Sequence, residues 1–551
     1  MTSIIQNSEL QKHKKLYHKT IKIFGPPGTG KTWTLIERVV KKYIKRGIDP
    51  EKIAFISFTN KAVNTAVKRA LDAFPHISDK QFSRFRTLHS YCRRYFEEEI
   101  FDTKACMIDY ALQNSFVKRS DSRLSEDNFT YKDWSLGVYD KARNMMQDPI
   151  YIYKQESNRQ DSLDVFLRKI DTYEHYKRAG GEVSFIDFTD MIERAIDSID
   201  FPQLEVLILD EAQDFTPLQW SVIYKMVDNV KRIYLAGDDD QAIYQWNGAD
   251  SKYFTHYFPG RKVVLKKTRR YGKAIHEFTQ VMRQGILDSI DKTFSPQDKE
   301  SAVKRYLNFK EIPFSLEGTW FLLGRVHNTV NELKSLAKDA GIYFSDNEGN
   351  KSFDDKQWQA IKAWTAISNG KKIGKKDAEV MFKYIRELKD SDFRTPKFWK
   401  GVPDFQEYNF NDLREWCGLD MPDEMQAKQW WWILKRNFSP RQAIYFLRLL
   451  KRYGTKTLDE VPRVVIDTIH SVKGDEANHV VLYSKANWPS SYRHKNKQEK
   501  SHEKKVWYTG GTRAKDTLHI LSTDYKYHYP IGEDYLIYMK KHDNKNRRKI
   551  D

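Results

Sequence analysis

Residues 21–32 read Ile21-Lys22-Ile23-Phe24-Gly25-Pro26-Pro27-Gly28-Thr29-Gly30-Lys31-Thr32. A short apolar run enters a glycine-rich loop, and a helical pattern over 33–44 follows. A strand, a Gly-x-x-x-x-Gly-Lys-Thr loop and a helix in that order form the complete phosphate-loop signature. Glycines let the backbone approach phosphate oxygens, while amide N–H groups and the helix N-terminus supply positive potential. Lys31 is placed to reach the β- and γ-phosphates, and the Thr32 hydroxyl to bind Mg²⁺.

Working outward, the same layout recurs. The apolar run 53–58 ends at Thr59-Asn60-Lys61-Ala62, 206–209 at Asp210-Glu211-Ala212-Gln213-Asp214, and 233–236 at Gly237-Asp238-Asp239-Asp240-Gln241. The run 464–466 leads to Asp467-Thr468-Ile469-His470-Ser471-Val472-Lys473-Gly474. Each run is short and rich in Ile, Val, Leu or Phe, as expected of a parallel strand covered on both faces. Helical patterns follow several of them, as at 33–44 and 61–73. The expected fold is therefore α/β, with the site at the strand C-termini. Two carboxylates ending the apolar strand at 206–209 suit nucleotide hydrolysis. Asp210 is the expected Mg²⁺ partner, and Glu211 is placed to orient or deprotonate the attacking water.

The chain has 551 residues, 40% hydrophobic and 31% charged, a globular composition that excludes fibrous and wholly disordered classes. Lys plus Arg exceeds Asp plus Glu by 94 to 75, and the resulting +19 favours a polyanionic partner such as nucleic acid. Cys92, Cys106 and Cys417 are too few and scattered for a disulfide framework or zinc site. The first residues lack an apolar core of signal-peptide length, and no stretch approaches the roughly 20 apolar residues of a membrane span. A cytoplasmic protein, in a bacterial or phage-infected cell, is the expectation. Motif spacing is uneven, and suggests two α/β cores, each interrupted by a mainly helical insertion. The expected divisions are 1–100 and 184–262 for the first core, around an insertion at 101–183. The second core takes 263–345 and 455–538, around an accessory insertion at 346–454, with a basic tail at 539–551. The accessory insertion carries Trp358, Trp364, Trp399, Trp416 and the run Trp430-Trp431-Trp432, and this run is expected to pack as core or between helices rather than stack on bases.

The motif series as a whole resembles the UvrD/Rep-type family of superfamily 1 DNA helicases, in its 3′→5′ branch. The matching stretches are GPPGTGKT (25–32), FTNKA (58–62), TLHSYC (87–92), LDEAQD (209–214), GDDDQAIYQWNGAD (237–250), LKKTRRYGKAI (265–275), DTIHSVKGDE (467–476) and YTGGTRA (508–514). The resemblance implies two RecA-like cores with ATP and Mg²⁺ between them and single-stranded DNA across their top. It implies that Gly25, Pro26, Pro27, Gly28, Thr29, Gly30, Lys31 and Thr32 cradle the phosphates. Gln241 resembles the γ-phosphate sensor, Arg270 and Arg513 the arginines offered to the transferring phosphoryl group, and Glu476 the contact to the nucleotide sugar. Guanidinium forks suit charge spread over phosphoryl oxygens. Phe58, Thr59, Asn60, Thr87, His89, Tyr244, Trp246, His470 and Ser471 occupy the DNA-facing positions. Aromatic faces there stack on bases without reading sequence, at roughly 1–3 kcal/mol per base.

The sequence departs from the family pattern at the adenine pocket. The usual upstream glutamine frame is missing, only Gln6 and Gln11 being present; Trp33 stands where the family has arginine, and Arg269 where it has tyrosine. These two are expected to form an inverted base sandwich. Asn247 replaces the arginine that commonly follows the stacking tryptophan. The implied function is an ATP-dependent 3′→5′ translocase on single-stranded DNA that unwinds duplex at single-strand/duplex junctions. Its expected state is a monomer or weak self-associate, with room for a replication or repair loading protein. Alternatives are an RNA or hybrid helicase, a protein-stripping translocase, and a weakly hydrolysing, nucleotide-gated DNA-binding scaffold.

Overall fold

The computed structural model describes residues 14–100, 109–110, 113–114, 133–156, 159–178, 185–385, 391–412, 430–434, 438–487 and 495–547. Gln6, Gln11, Cys106, Cys417, Trp416 and the end of the basic tail lie outside them. The chain divides into two compact units. The first takes Met1–Val303, Pro489–Asp516 and Glu533–Asp551, and the second takes Lys304–Trp488 and Thr517–Gly532.

In the first unit, β1 (Thr20–Phe24), β2 (Ile53–Ser57) and β3 (Phe85–Thr87) are followed by a short pair, β4 (Glu99–Ile100) and β5 (Phe185–Ile186). Then come β6 (Leu204–Leu209), β7 (Val230–Gly237) and β8 (Arg261–Val264). Six of these form one sheet in the order β3-β2-β6-β7-β1-β8, parallel throughout. Every residue of β2 is buried, whereas β8 at the edge is mostly exposed, so the apolar runs of the sequence mark the sheet's interior. Val263 lies in β8 and pairs with Ile23, so the strand at that position belongs to this first sheet. Between β3 and β6 come the helices Trp134–Asn144, Pro149–Gln155, Leu163–Arg178 and Phe188–Ser198. One face of the sheet packs against residues such as Trp220, Phe254 and Phe258, the other against Leu35, Ile36 and Val40.

The helix expected over 33–44 runs as three contiguous segments, Lys31–Thr34, Leu35–Val40 and Lys41–Ile44, the middle one wound more widely. The helix after β2 is Asn60–Ala73, capped by the Thr59 side chain.

The second unit contributes most of a five-stranded sheet. Its strands are β9 (Ala302–Tyr306), β10 (Trp320–Gly324), β13 (Val464–Thr468), β14 (Ala477–Tyr483) and β15 (Ala514–Leu521), in the order β13-β10-β14-β15-β9. The central β10 is parallel to both its neighbours. Between β10 and β13 lie mainly helices and the antiparallel pair β11 (Ile373–Gly374) and β12 (Glu407–Tyr408). Trp358, Trp364, Trp399 and Trp430 are buried there in a single aromatic core, with Trp431 packed against it. These five tryptophans are therefore packing residues.

Candidate nucleotide site and nucleic-acid track

The phosphate loop leaves the end of β1 and is tied to the end of β7, Gly25 N–H donating to the Gly237 carbonyl at 3.0 Å. Gly28 and Gly30 have φ of 73° and 82°, left-handed values that favour glycine. A Cβ on Gly28 would lie 2.5 Å from Arg270 Cβ and from Thr268 Oγ1, because the segment 268–270 covers the loop. Thr268 Oγ1 donates to Pro27 O at 2.8 Å, and Arg269 N–H donates to Gly28 O at 2.8 Å. Lys31 Nζ donates to Gly25 O at 3.0 Å, so its ammonium is already bent over the loop.

Thr32 Oγ1 donates to Asp210 Oδ2 at 2.6 Å. A hydroxyl and a carboxylate converging at the mouth of a phosphate loop are the oxygen donors a small divalent cation such as Mg²⁺ prefers. Both expected metal residues thus fit the ion. Asp210 is fully buried; burial and then the neighbouring Glu211 push its carboxyl above the ordinary range. Glu211 takes a left-handed backbone, φ 53°, which costs energy in a non-glycine residue. Gln213 holds the Glu211 side chain, its amide Nε2 donating to Glu211 Oε2 at 2.7 Å and to Asp214 Oδ2 at 2.9 Å. The Gln213 side-chain oxygen Oε1 accepts from Asp238 N–H at 2.9 Å, joining the ends of β6 and β7.

From Asp238 the network continues. Gln241 Nε2 donates to Asp238 Oδ2 at 2.6 Å, and Arg513 Nη2 donates to Gln241 Oε1. Arg513 is 2% exposed and is braced on the Thr509 carbonyl at 2.9 Å. Arg270 Nη1 donates to the Thr512 carbonyl at 2.8 Å, beside Arg513 in the chain. Lys31, Thr32, Asp210, Glu211, Gln241, Arg270 and Arg513 are therefore gathered within the first unit. Trp33 and Arg269 are also brought together. The Arg269 guanidinium lies 4.9 Å from the Trp33 ring centroid, an attractive cation–π distance.

The predicted DNA-facing residues of this unit form an aromatic series beside the same strand ends. Phe58 stacks on Tyr244 at 4.7 Å between centroids, and Tyr244 meets Trp246 edge-on at 6.4 Å. Trp246 is 64% exposed, so it is no core tryptophan. Its turn is closed by Gly248, φ 87°. Thr59 and Thr87 cap the helices that follow them, and exposed Asn60 opens the first of these. His89 lies 5.7 Å from Phe188, and burial lowers its pKa to about 4. A cavity of about 440 Å³ is lined by His89, Phe188, Tyr139 and Asn247, among others. Phe188, 43% exposed, was not foreseen from the sequence; the signal is an aromatic beginning a helix directly after a short strand. Gln213 was missed as well, although it stands inside the acidic motif.

His470, Ser471 and Glu476 lie in the second unit, in the loop between β13 and β14. Ser471 N–H donates to Thr468 Oγ1 at 3.2 Å, and Asn347 Nδ2 donates to the Ser471 carbonyl at 2.8 Å, which fixes this loop against its own unit. Glu476 is exposed. Among the described residues, Glu174, Asp187 and Asp190 lie close enough together to hold a metal. Lys177 already sits on all three, at 2.9, 2.9 and 2.8 Å, so this cluster is an ion-pair network.

A parallel sheet whose strand ends carry this loop, these carboxylates and these arginines defines a phosphate-loop nucleotide-binding protein. Residues 6–258 match the UvrD/REP helicase N-terminal domain and residues 439–525 the UvrD-like helicase C-terminal domain, and the chain belongs to this family. It is 23% identical over 391 residues to the ATP-dependent DNA helicase PcrA of Bacillus subtilis, covering 66% of this chain and 50% of that protein. It is 23% identical over 352 residues to a probable DNA helicase II homolog of Mycoplasma pneumoniae, covering 59% and 48%. The chain thus spans about half the length of the curated relatives it matches. An Arterivirus nonstructural protein 10 (helicase) in complex with DNA overlaps 93% of this chain and 63% of its own, at 10% identity and a TM-score of 0.33, too loosely to support an inference. Among the described residues no helix is long and apolar enough to cross a membrane.

Proposed function

We propose that the chain is a DNA-stimulated ATPase that moves 3′→5′ along single-stranded DNA and unwinds duplex ahead of it. One observation carries the reading. Gln241, hydrogen-bonded to Arg513 at the nucleotide site, lies three residues before Tyr244 and five before Trp246 in the aromatic series. A change at the γ-phosphate therefore has a short, continuous path to a base-stacking surface. The membership in a helicase family supports the same reading, and the 3′→5′ direction follows from the family branch. ATP is the substrate; bound Mg²⁺, held by Thr32 and Asp210, would neutralise phosphate charge. Lys31 binds the phosphates, Glu211 orients the attacking water, and Arg270 and Arg513 stabilise the charge on the transferring group. The arrangement as two RecA-like cores, with Glu476 serving the sugar and His470 and Ser471 the strand, is part of the same proposal.

Unwinding of 3′-tailed, 5′-tailed and blunt duplexes, each in DNA and RNA form, tests it. ATP-dependent unwinding of the 3′-tailed DNA alone is expected. Preference for 5′ tails would overturn the polarity, and equal unwinding of RNA would favour the hybrid or RNA helicase. Translocation without strand separation would leave a protein-stripping motor, and absence of turnover a nucleotide-gated scaffold.

A further inference from the structure

Three consecutive carboxylates follow β7, and Asp238, Asp239 and Asp240 are each at most 1% exposed. Three buried charges of one sign demand compensation at close range. One ammonium serves all of them. Lys292 Nζ, from the stretch after the helix Lys273–Arg283, stands 2.7 Å from Asp238 Oδ1, 2.5 Å from Asp239 Oδ1 and 3.0 Å from Asp240 Oδ2. Arg283 adds a second cation 2.6 Å from Asp240 Oδ2. Neutral donors complete the shell: Ile290 N–H to Asp239 Oδ2 at 2.8 Å and the Ser289 hydroxyl to Asp240 Oδ1 at 2.6 Å. Burial opposes the charge on Lys292, but the three carboxylates more than offset it and hold the ammonium protonated above the ordinary lysine range.

The oxygens of Asp238 divide their work. Oδ1 accepts from Lys292 at 2.7 Å, while Oδ2 accepts from Gln241 Nε2 at 2.6 Å. The Asp238 N–H reaches Gln213, which holds Glu211. Asp238 is therefore the branch point between the water-orienting arm and the arm that ends at Arg513. Lys31 also attracts the Asp238 carboxylate. Without Lys292, one more uncompensated negative charge would face the incoming phosphates, and the cluster would compete with them for Lys31.

We propose that Lys292 is a positioning residue for the nucleotide reaction: by neutralising the 238–240 carboxylates it fixes Gln241 and Gln213 and leaves Lys31 to the phosphates. Lys292 belongs to none of the motifs quoted from the sequence, and nothing in the composition around it sets it apart. What identifies it is that a single side chain closes three buried ion pairs at the point where both arms meet. The inference rests on the ATPase reading above.

The test uses the full chain with single-stranded DNA at saturation. Steady-state ATPase, binding of a fluorescent ATP analogue with Mg²⁺, and melting temperature are measured for wild type, Lys292→Met, Lys292→Arg and the double variant Lys292→Met/Asp239→Asn. Lys292→Met is expected to lower kcat and to raise KM for ATP, each by about tenfold. Lys292→Arg should recover most of the KM, because the charge is kept. The double variant removes one charge of each sign and should recover at least half of the loss on a logarithmic scale. A merely structural role would lower the melting temperature and the active fraction while leaving KM in place. An unchanged KM in Lys292→Met, or a double variant no better than the single one, overturns the inference. If Lys292→Met does not fold, the double variant decides: a KM within about threefold of wild type supports the charge argument, and a KM raised about tenfold sinks it. Absence of turnover in wild type would instead fail the functional reading; normal wild-type turnover without the KM effect fails the Lys292 inference alone.

Discussion

Trp33 and Arg269 form a contacting pair beside the phosphate loop. The backbone of Arg269 is bolted to Gly28, and its guanidinium lies 4.9 Å from the Trp33 ring. Arg38 approaches the same ring at 5.9 Å. We propose that the two side chains part on ATP binding and adenine enters between the indole and the Arg269 plane, with Trp33 and Arg269 exchanging the roles the family gives to arginine and tyrosine. Stacking or cation–π contact contributes about 0.5–2 kcal/mol per side chain, so Trp33→Ala should weaken ATP binding about two- to thirtyfold. The chemical step, read in single turnover at saturating ATP, should change little. Unchanged affinity in equilibrium binding would rule the sandwich out. The double change Trp33→Arg with Arg269→Tyr should restore much of what either single change loses. In the proposed reaction Glu211 orients the attacking water, and Gln213 holds its side chain, so Glu211→Gln should reduce turnover by about a hundredfold or more while ATP affinity persists. Vigorous turnover in that variant would show that another group activates the water.

At the scale of elements, the sheet interior was legible because strands buried on both faces read as unbroken apolar runs. Thr20–Phe24, Ile53–Ser57, Leu204–Leu209 and Val230–Gly237 all stand where those runs are. The loops were legible because phosphate chemistry constrains them, Gly28 by its φ of 73° and its closeness to Thr268 and Arg270. Helix winding at Leu35–Val40 and the sheet to which Arg261–Val264 belongs were not, since neither leaves a periodic signature. Gln213 and Lys292 escaped for another reason: both meet Asp238, which is distant from each along the chain. Buried histidines escaped similarly. His519 in β15 is fully buried, both ring nitrogens lack a hydrogen-bond partner among the described residues, and it stacks on Trp320 at 5.1 Å. Burial, then the nearby His479 and Lys304, lower its pKa to about 3. Below about pH 6.5 the unfolded chain takes up a proton that the folded chain refuses until about pH 3. The neutral ring therefore contributes stability above pH 6.5, and that contribution falls as the pH drops through the window, by up to about 1.4 kcal/mol per pH unit. His519→Phe should flatten the acid side of the melting profile between pH 6.5 and 4.5. An equally steep loss in the variant would place the acid sensitivity elsewhere, as in His89 or His502, whose pKa values burial also lowers to about 4.

Across the whole molecule two kinds of binding energy should separate. The net charge of +19 acts on any polyanion and carries no sequence information. In the proposed motor the aromatic series of Phe58, Tyr244 and Trp246 would act on base faces, and 64% exposure of Trp246 leaves its indole open to solvent. Phosphate contacts release counterions, whereas stacking does not. Affinity for single-stranded DNA should therefore fall with salt, log K against log salt having a slope of about −0.7 for each phosphate neutralised. Trp246→Ala should weaken binding by about 1–3 kcal/mol at every salt concentration, shifting the line downward without tilting it. Stepping along the strand needs a grip that changes with nucleotide state, and Trp246 lies five residues beyond Gln241. The same variant should thus lose translocation rate more than it loses DNA-stimulated ATP turnover. Titrations of homopolymer strands at several salt concentrations, paired with stopped-flow translocation, separate the two terms. A wild-type slope near zero would remove the charge argument. A slope in Trp246→Ala lower by one phosphate or more would mean that the tryptophan orders a backbone contact rather than holding a base.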